Sequence, residues 1–283
     1  MKALVSQKTK DVRSLALDLK SLRSLLELVE RRCVEAAEIE INHTNWNLVP
    51  ADKVKEQKER IRNSSILFLS ITGADGVSYH GSISVLFDDP NFPPQVNQVF
   101  FNTENTFRGN MNYSPRNAIT VLLDFTRPAV LDFTPTPSAA TQNNSRIDVR
   151  GLDAIWVNGV YNEVDGFLSR YPSKQKWLHQ YSVYDLLLWV VGLPFGFWLC
   201  WKLQPFVSSR MAIHPFVQSM AFVYAFLFSL IGLRAWFNYA RWIWPLVECN
   251  TGENRAGSHR LFWGALSVSI FGTFLYDVVK RLI

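Results

Sequence analysis

Residues 211–233, MAIHPFVQSMAFVYAFLFSLIGL, run for 23 positions without a charged side chain. A helix that crosses the hydrocarbon of a bilayer needs about 20 mostly apolar residues. This run meets that length unaided, and it decides the reading: part of the chain is membrane protein. Two shorter runs, 186–201 and 261–276, hold 16 uncharged residues each. Tyr181, Tyr184 and Leu203 lengthen the first, and Val278 and Val279 the third. The expectation is an all-α membrane domain over 182–283 with spans near 183–203, 212–234 and 260–280.

The bulk composition hides this domain. The 283 residues have a mean hydropathy of +0.02 and a net charge of +5. Cutting after Tyr181 separates 21 Lys+Arg and 20 Asp+Glu from 8 and 4, so the halves carry +1 and +4. Seven of the ten Trp lie in the shorter half. A basic excess inside an apolar, Trp-rich segment belongs to a bilayer interface, so no nucleic acid is expected as a partner. Trp201, Arg234, Trp236, Arg241, Trp242 and Trp244 stand at run edges, where amphipathic rings and cations favour the headgroup layer. Gly192, Pro194 and Gly196 predict a kink in the first run. In the third, Ala265, Ser269, Gly272 and Thr273 form a small-residue face that predicts close helix packing and a homo-oligomer.

No signal peptide is read at the N-terminus, where Asp18, Lys20 and Arg23 interrupt the first apolar cluster. With three spans, the N-terminal half shares a side with the loop between the second and third runs. That side carries seven cations near the membrane against four opposite, which favours a cytoplasmic N-terminal half. In a bacterium this is the inner membrane. Cys33, Cys200 and Cys249 are too few and too scattered for a disulfide scaffold.

Residues 1–64 read as an N-terminal helical arm and 65–181 as an α+β domain. Over 11–40, Leu15, Leu19, Leu22, Leu26, Val29, Cys33 and Ala36 repeat at alternating steps of four and three, a heptad stripe. It is either a coiled-coil seam between protomers or a face packed on the protein's own sheet. Pro50 opens a second, charged helix to about Arg62. The period then shortens to two. Strands are expected at 66–72, 78–87, 96–102, 119–125 and 147–149, with a hairpin turn at 73–76. Residues 128–145 form a Pro/Thr/Asn-rich connection, and 153–170 a helix with Trp156, Val160, Val164 and Phe167 on one face. Four or five mostly antiparallel strands between helices, with no βαβ alternation, make the soluble part α+β.

Motifs with defined chemistry are missing from the sequence. There is no G-x-G-x-x-G, no phosphate-binding G-x-x-x-x-G-K-S/T, no C-x-x-C, no H-x-x-x-H and no G-x-S-x-G. His80 and Ser82, two apart in an expected strand, and Asp124 with Asp148 are the residues from which an enzyme would have to be assembled. No catalytic set, metal or cofactor is expected. Binding is better supported. Phe101, Phe107 and Tyr113 lie near Arg108, Arg116 and Arg127 in sequence, and aromatics with guanidinium groups can cage a nucleotide-like ligand.

The expected function is an oligomeric integral membrane protein in which a cytoplasmic sensor domain controls a pore-forming or membrane-perturbing effector. By architectural analogy, bacterial antiviral defence is one setting for such a protein. The alternatives are a membrane-anchored scaffold that recruits a protein partner, and a membrane-associated enzyme.

Overall fold

The computed structural model describes residues 5–132, 136–210, 214–251, 256–266 and 269. The chain divides into two compact units. One holds residues 1–126, 143–173 and 246–254; the other holds 127–142, 174–245 and 255–283.

The first unit is α+β. Six antiparallel strands form its sheet: β1 Ser6–Asp11, β3 Leu69–Gly73, β4 Ser78–Gly81, β5 Val96–Asn102, β6 Asn117–Asp124 and β7 Arg146–Gly151, in the order β1-β7-β6-β5-β3-β4. A separate parallel pair joins β2 Leu15–Asp18 to β8 Val247–Asn250. Period-two alternation explains the sheet's asymmetry. Leu69, Ile71, Val99, Phe101, Ile119, Val121, Leu123, Ile147 and Val149 point to one face and are buried. Ser70, Thr72, Gln98, Thr120 and Asp148 alternate with them. Helices α1 Leu19–His43 and α5 Ala154–Leu168 supply Leu22, Leu26, Val29, Trp156, Val160 and Val164 to the same core. Shorter helices α2 Val54–Ser64, α3 Ile83–Phe87 and α4 Thr103–Met111 complete the unit.

The sheet has more strands than the sequence suggests, for local reasons. Strand β1, SQKTKD, alternates polar with polar and carries no apolar signal. Its lysines suit an edge: Lys8 lies over the Tyr161 ring at 4.8 Å and Lys10 pairs with Asp165. The helix expected from residue 11 begins at Leu19. Asp18 caps it, its carboxylate accepting the Ser21 N–H at 2.7 Å, and Leu15 therefore lies in β2 instead of on the helical stripe. Of the stripe, Leu22, Leu26 and Val29 enter the protein's own core. The single strand expected at 78–87 is β4 followed by α3. Helix α4, absent from the sequence reading, starts at Asn102, whose side chain accepts the Glu104 and Asn105 N–H groups, and ends at Asn112 with φ 60°.

The second unit contains two helical segments long and apolar enough to cross a membrane, Val183–Arg210 and Pro215–Ile243. The first is assembled from α6 Val183–Leu187, a π-turn at Leu188–Gly192 and α7 Leu193–Arg210; the second is α8 Pro215–Ile243. Pro194 has no N–H to donate to Val190, and its ring crowds that carbonyl. The widened turn, in which Leu193 N–H donates to Leu188 O, accommodates this. Only 6% of the most apolar stretch of α8 is buried, whereas a core helix of a soluble domain would be mostly buried. Residues 256–266 are helical; the remainder of the third expected span, apart from Ser269, lies outside the described residues.

Small residues set the packing of α7 on α8. A Cβ on Gly192 would stand 2.5 Å from Leu233 Cδ2, and one on Gly196 would stand 2.8 Å from the Phe226 ring and Ser229 Oγ. Gly192 and Gly196 are four apart, the spacing that lets helices approach in lipid. The two ends next to the rest of the chain meet as well. Tyr184 of α6 packs with Phe237 and Ala240 of α8 and with Leu178, so Val183 and Ile243 sit at one end of a helical hairpin.

Candidate functional site

The residues proposed to cage a nucleotide do not form one cavity. Phe101 belongs to the main core and Phe107 to a smaller cluster with Ala37, Ile41 and Ile61. Tyr113 stands edge-on to Phe107 at 5.2 Å, and the Arg116 backbone N–H donates to the buried Glu40 carboxylate at 2.8 Å. Burial, with Glu40 nearby, pushes the Tyr113 hydroxyl up to about 12. Arg108 is largely exposed and pairs with Glu104 one turn earlier. Arg127 falls in the other unit. Phe107, Tyr113 and Arg116 are thus brought together, while Phe101, Arg108 and Arg127 go elsewhere. The cavity beside Phe107 has a volume of about 10 Å³ and is walled by Cys33, Thr103, Asn117 and Trp156. That is room for about one water molecule and not for a nucleobase. The Asn117 carboxamide and Trp156 indole N–H are buried without a hydrogen-bond partner among the described residues.

The residues offered for an enzyme are also apart. His80 is on β4 and Asp148 on β7, with β3, β5 and β6 between them. Ser82 is the residue before α3 and no longer shares a strand face with His80. Asp148 instead accepts hydrogen bonds from Gln7 and Thr9 of β1 at 2.9 Å each. Among the described residues, no three His, Cys, Asp or Glu side chains come together as a metal-binding group.

The densest polar arrangement lies in the second unit, where residues 127–142 meet the paired helix ends. Thr141 N–H donates to His179 O at 3.2 Å, and Ser182 N–H to Ser138 O at 3.0 Å. The Ser138 hydroxyl donates to the Asp185 carboxylate. Asn238 Nδ2 donates to Asp132 O at 3.1 Å, and Arg127 Nη1 to Trp242 O at 3.3 Å, with its guanidinium 5.4 Å from the Trp242 ring centre. Connections of this kind satisfy the irregular backbone that a helix or sheet ladder would otherwise satisfy.

Two buried side chains anchor the arrangement. His179 is 3% exposed. Its Nε2 is 2.6 Å from Trp244 O, an acceptor, so that nitrogen carries the hydrogen; Nδ1, 2.8 Å from Thr141 Oγ1, then accepts. Burial lowers the imidazole to about 4, so it is neutral near pH 7. Arg241 is 7% exposed. Its Nε donates to Leu178 O at 3.2 Å and its Nη2 to Ala139 O at 3.1 Å, while its guanidinium lies 4.4 Å from the Phe237 ring centre one turn back.

The interface group of the sequence reading therefore divides. Trp201 is exposed, with Lys202 4.9 Å over its ring, and Trp236 is 45% exposed. Arg234 is partly buried on α8. Arg241 is buried, Trp242 stacks on Tyr239 at 6.1 Å, and Trp244 gives its carbonyl to His179. Sequence alone did not single out His179; its lone position between a Lys-rich stretch and the first span carried no signal. On the third run, Ala265 and Ser269 are exposed, and Gly272 and Thr273 lie outside the described residues. No family model, no curated protein and no solved structure matches this chain.

Proposed function

We propose that the chain is an integral membrane protein in which the α+β unit controls a membrane-embedded helical unit, acting as an oligomeric sensor and effector. One observation carries this reading. Residues 127–142 leave the sheet at the end of β6 and return to it at β7, and between those strands they are hydrogen-bonded to both paired ends of the apolar hairpin. A plain anchor needs one covalent link to its domain. Here the chain passes into the helical unit within a strand connection, re-enters it at residue 174, and comes back after α8 to form β8. A shift of β6 relative to β7 would thereby act directly on the helix ends. Exposed apolar side chains along the two apolar helical segments, including Trp189, Phe197 and Phe228, support placement in lipid. The two described apolar helical segments of one chain cannot enclose a pore, so a permeabilising form built on them requires several chains.

The test replaces residues 186–236 with an unrelated two-helix hairpin, keeping 174–185 and 237–251 so that β8 and the polar arrangement are preserved. Full-length protein and the chimera are reconstituted into liposomes loaded with a self-quenched dye. The proposal expects release from the native chain and a loss of at least about tenfold in the chimera. No release from the native chain with any activator, or equal release from the chimera, contradicts it. A chimera that still recruits a protein partner favours the scaffold.

A further inference from the structure

The cavity lined by residues of 128–132 and 136–142 and by the end of α8 has a volume of about 380 Å³, within the usual size of small-ligand sites. It is walled by Arg241, Asn238, Thr136, Thr141, Gln142 and Asp132 among others. Asn238 and Arg241 are three apart on α8 and so share a helix face. Thr136, Thr141 and Gln142 belong to the wall formed by the connection, with Thr141 Oγ1 engaged by His179 Nδ1.

Arg241 makes this cavity more than a solvated groove. A guanidinium presents five N–H donors. Two are used, both on backbone carbonyls, and no carboxylate pairs with it among the described residues. Carbonyl dipoles and the Phe237 ring stabilise the cation only partly, and burying a net charge costs several kcal/mol when no counter-charge meets it. The remaining donors form a planar fork on the wall of a cavity large enough for an anion. That geometry matches the oxygens of a phosphate group, which two parallel N–H bonds hold in one orientation. Asp132 lines the same cavity. Its charge disfavours a doubly negative ligand, so the fitting form carries one negative charge.

We infer that this cavity binds a singly charged phosphate group, that of a phosphodiester or of monobasic phosphate, through the Arg241 guanidinium. The chemistry is shared by the headgroup of a phospholipid and by free phosphate. The lipid source rests on the membrane placement proposed above, and the free-phosphate source does not. A phosphodiester on Arg241 would tie residues 128–142 to α8 more tightly and hold the helix ends in the described arrangement.

The test uses the full chain in dodecyl maltoside micelles, titrated by calorimetry with dihexanoylphosphatidylglycerol, with sodium phosphate, and with neutral dihexanoylglycerol. The expected result is binding of the phosphodiester lipid, weaker binding of inorganic phosphate, and none of the glyceride. Arg241→Gln weakens binding by about tenfold or more, and Arg241→Lys, which keeps charge but not the fork, by less. Thr136→Val, at an exposed position, provides a second variant should the Arg241 substitutions fail to fold. Binding of phosphate but not of the lipid assigns the site to the free anion. The inference is overturned if wild-type protein binds neither, if the glyceride binds equally, or if both Arg241→Gln and Thr136→Val bind as wild type does. Liposome leakage is read separately, so a phosphate site in a chain that never leaks overturns the effector reading alone.

Discussion

The two units handle apolar side chains in opposite ways. In the α+β unit, nearly every large apolar residue of the strands is turned inward, and helices α1 and α5 cover the single buried face. In the helical unit, α7 and α8 touch along a narrow line of small residues and leave Trp, Phe and Leu side chains pointing outward. The first arrangement is driven by removal of apolar surface from water, at about 25 cal/mol per Å². In a bilayer the second would not be, because lipid is as apolar as the side chains it would touch. It depends on close van der Waals contact and on polar bonds at the helix ends. The same kind of substitution should therefore have different consequences in the two places.

The largest effect is expected in β2. Leu17 is fully buried between β8 and the core, and Leu17→Ala should destabilise the α+β unit by about 2–5 kcal/mol through lost transfer energy and a residual cavity. Leu227→Ala removes the same atoms from α8, where the side chain is 46% exposed, and in micelles should cost under about 1 kcal/mol. Urea unfolding followed by near-ultraviolet circular dichroism measures both. Equal losses at the two sites would break the contrast.

Next is the helix contact. Gly196→Leu drives a side chain into Phe226 and Ser229 and should cost about 1–3 kcal/mol or more. Gly232→Leu meets nothing within 4 Å of its Cβ and replaces a poor helix former, so it should be neutral or slightly stabilising. In one detergent the thermal midpoint should therefore fall for Gly196→Leu and hold or rise slightly for Gly232→Leu. If they move together, the glycines do not set the packing.

A third prediction concerns the polar end of the hairpin. His179 titrates near 4 in the folded protein and near its ordinary 6.5 when unfolded. Between those values the unfolded chain binds a proton that the folded chain does not. Stability is therefore intact above about pH 6.5 and falls as pH drops toward 4, by at most about 3 kcal/mol. His179→Gln should be less stable at pH 7.5 but should lose this extra slope between pH 6.5 and 4.5. A variant with the wild-type slope would assign the acid sensitivity to carboxylates elsewhere.

How far the sequence foretold each unit follows from the same contrast. Long uncharged runs and strict period-two alternation are strong signals, and they located the two apolar hairpin helices, β5 to the residue, and most of β6. The first span's kink was legible because Gly192 and Pro194 are local in effect. Signals that depend on distant partners were not legible. Strand β1 is polar on both faces and exists because β7 offers it an edge. Strand β2 was absorbed into the heptad stripe because its partner, β8, lies some 230 residues later, beyond both apolar helices. The small-residue face expected in the third run lies largely outside the described residues, and a further glycine contact joins the first two helices, where bulky Leu233 and Phe226 face the glycines. Arg241 was read as an interfacial cation from its Trp neighbours, and it is buried because residues 138–141 fold over it, which no pattern around Arg241 announces. The aromatic and Arg cluster failed as a cage for a plain reason: Phe101 follows the strand period into the core, and Arg127 lies beyond the strand end in the other unit.

The smallest energetic effect, and the most direct report on β8, comes from cysteine chemistry. Burial raises both Cys33 and Cys249 to about 12. At pH 8 the reactive thiolate is then about a thousandfold scarcer than for an ordinary thiol, and the surrounding core blocks the reagent as well. In iodoacetamide time courses read by mass spectrometry, both should stay unmodified until denaturant opens the α+β unit. Cys33 sits on α1 in the main core, whereas Cys249 sits on β8, the segment that follows the second apolar helix. If β8 is an integral part of that core, the two thiols become reactive at one denaturant concentration, and Leu17→Ala lowers it for both. If Cys249 reacts while Cys33 remains protected, β8 opens on its own. The return of the chain from the helical unit would then be a detachable strand, and the coupling proposed above would rest on residues 127–142 and on the 173–174 link.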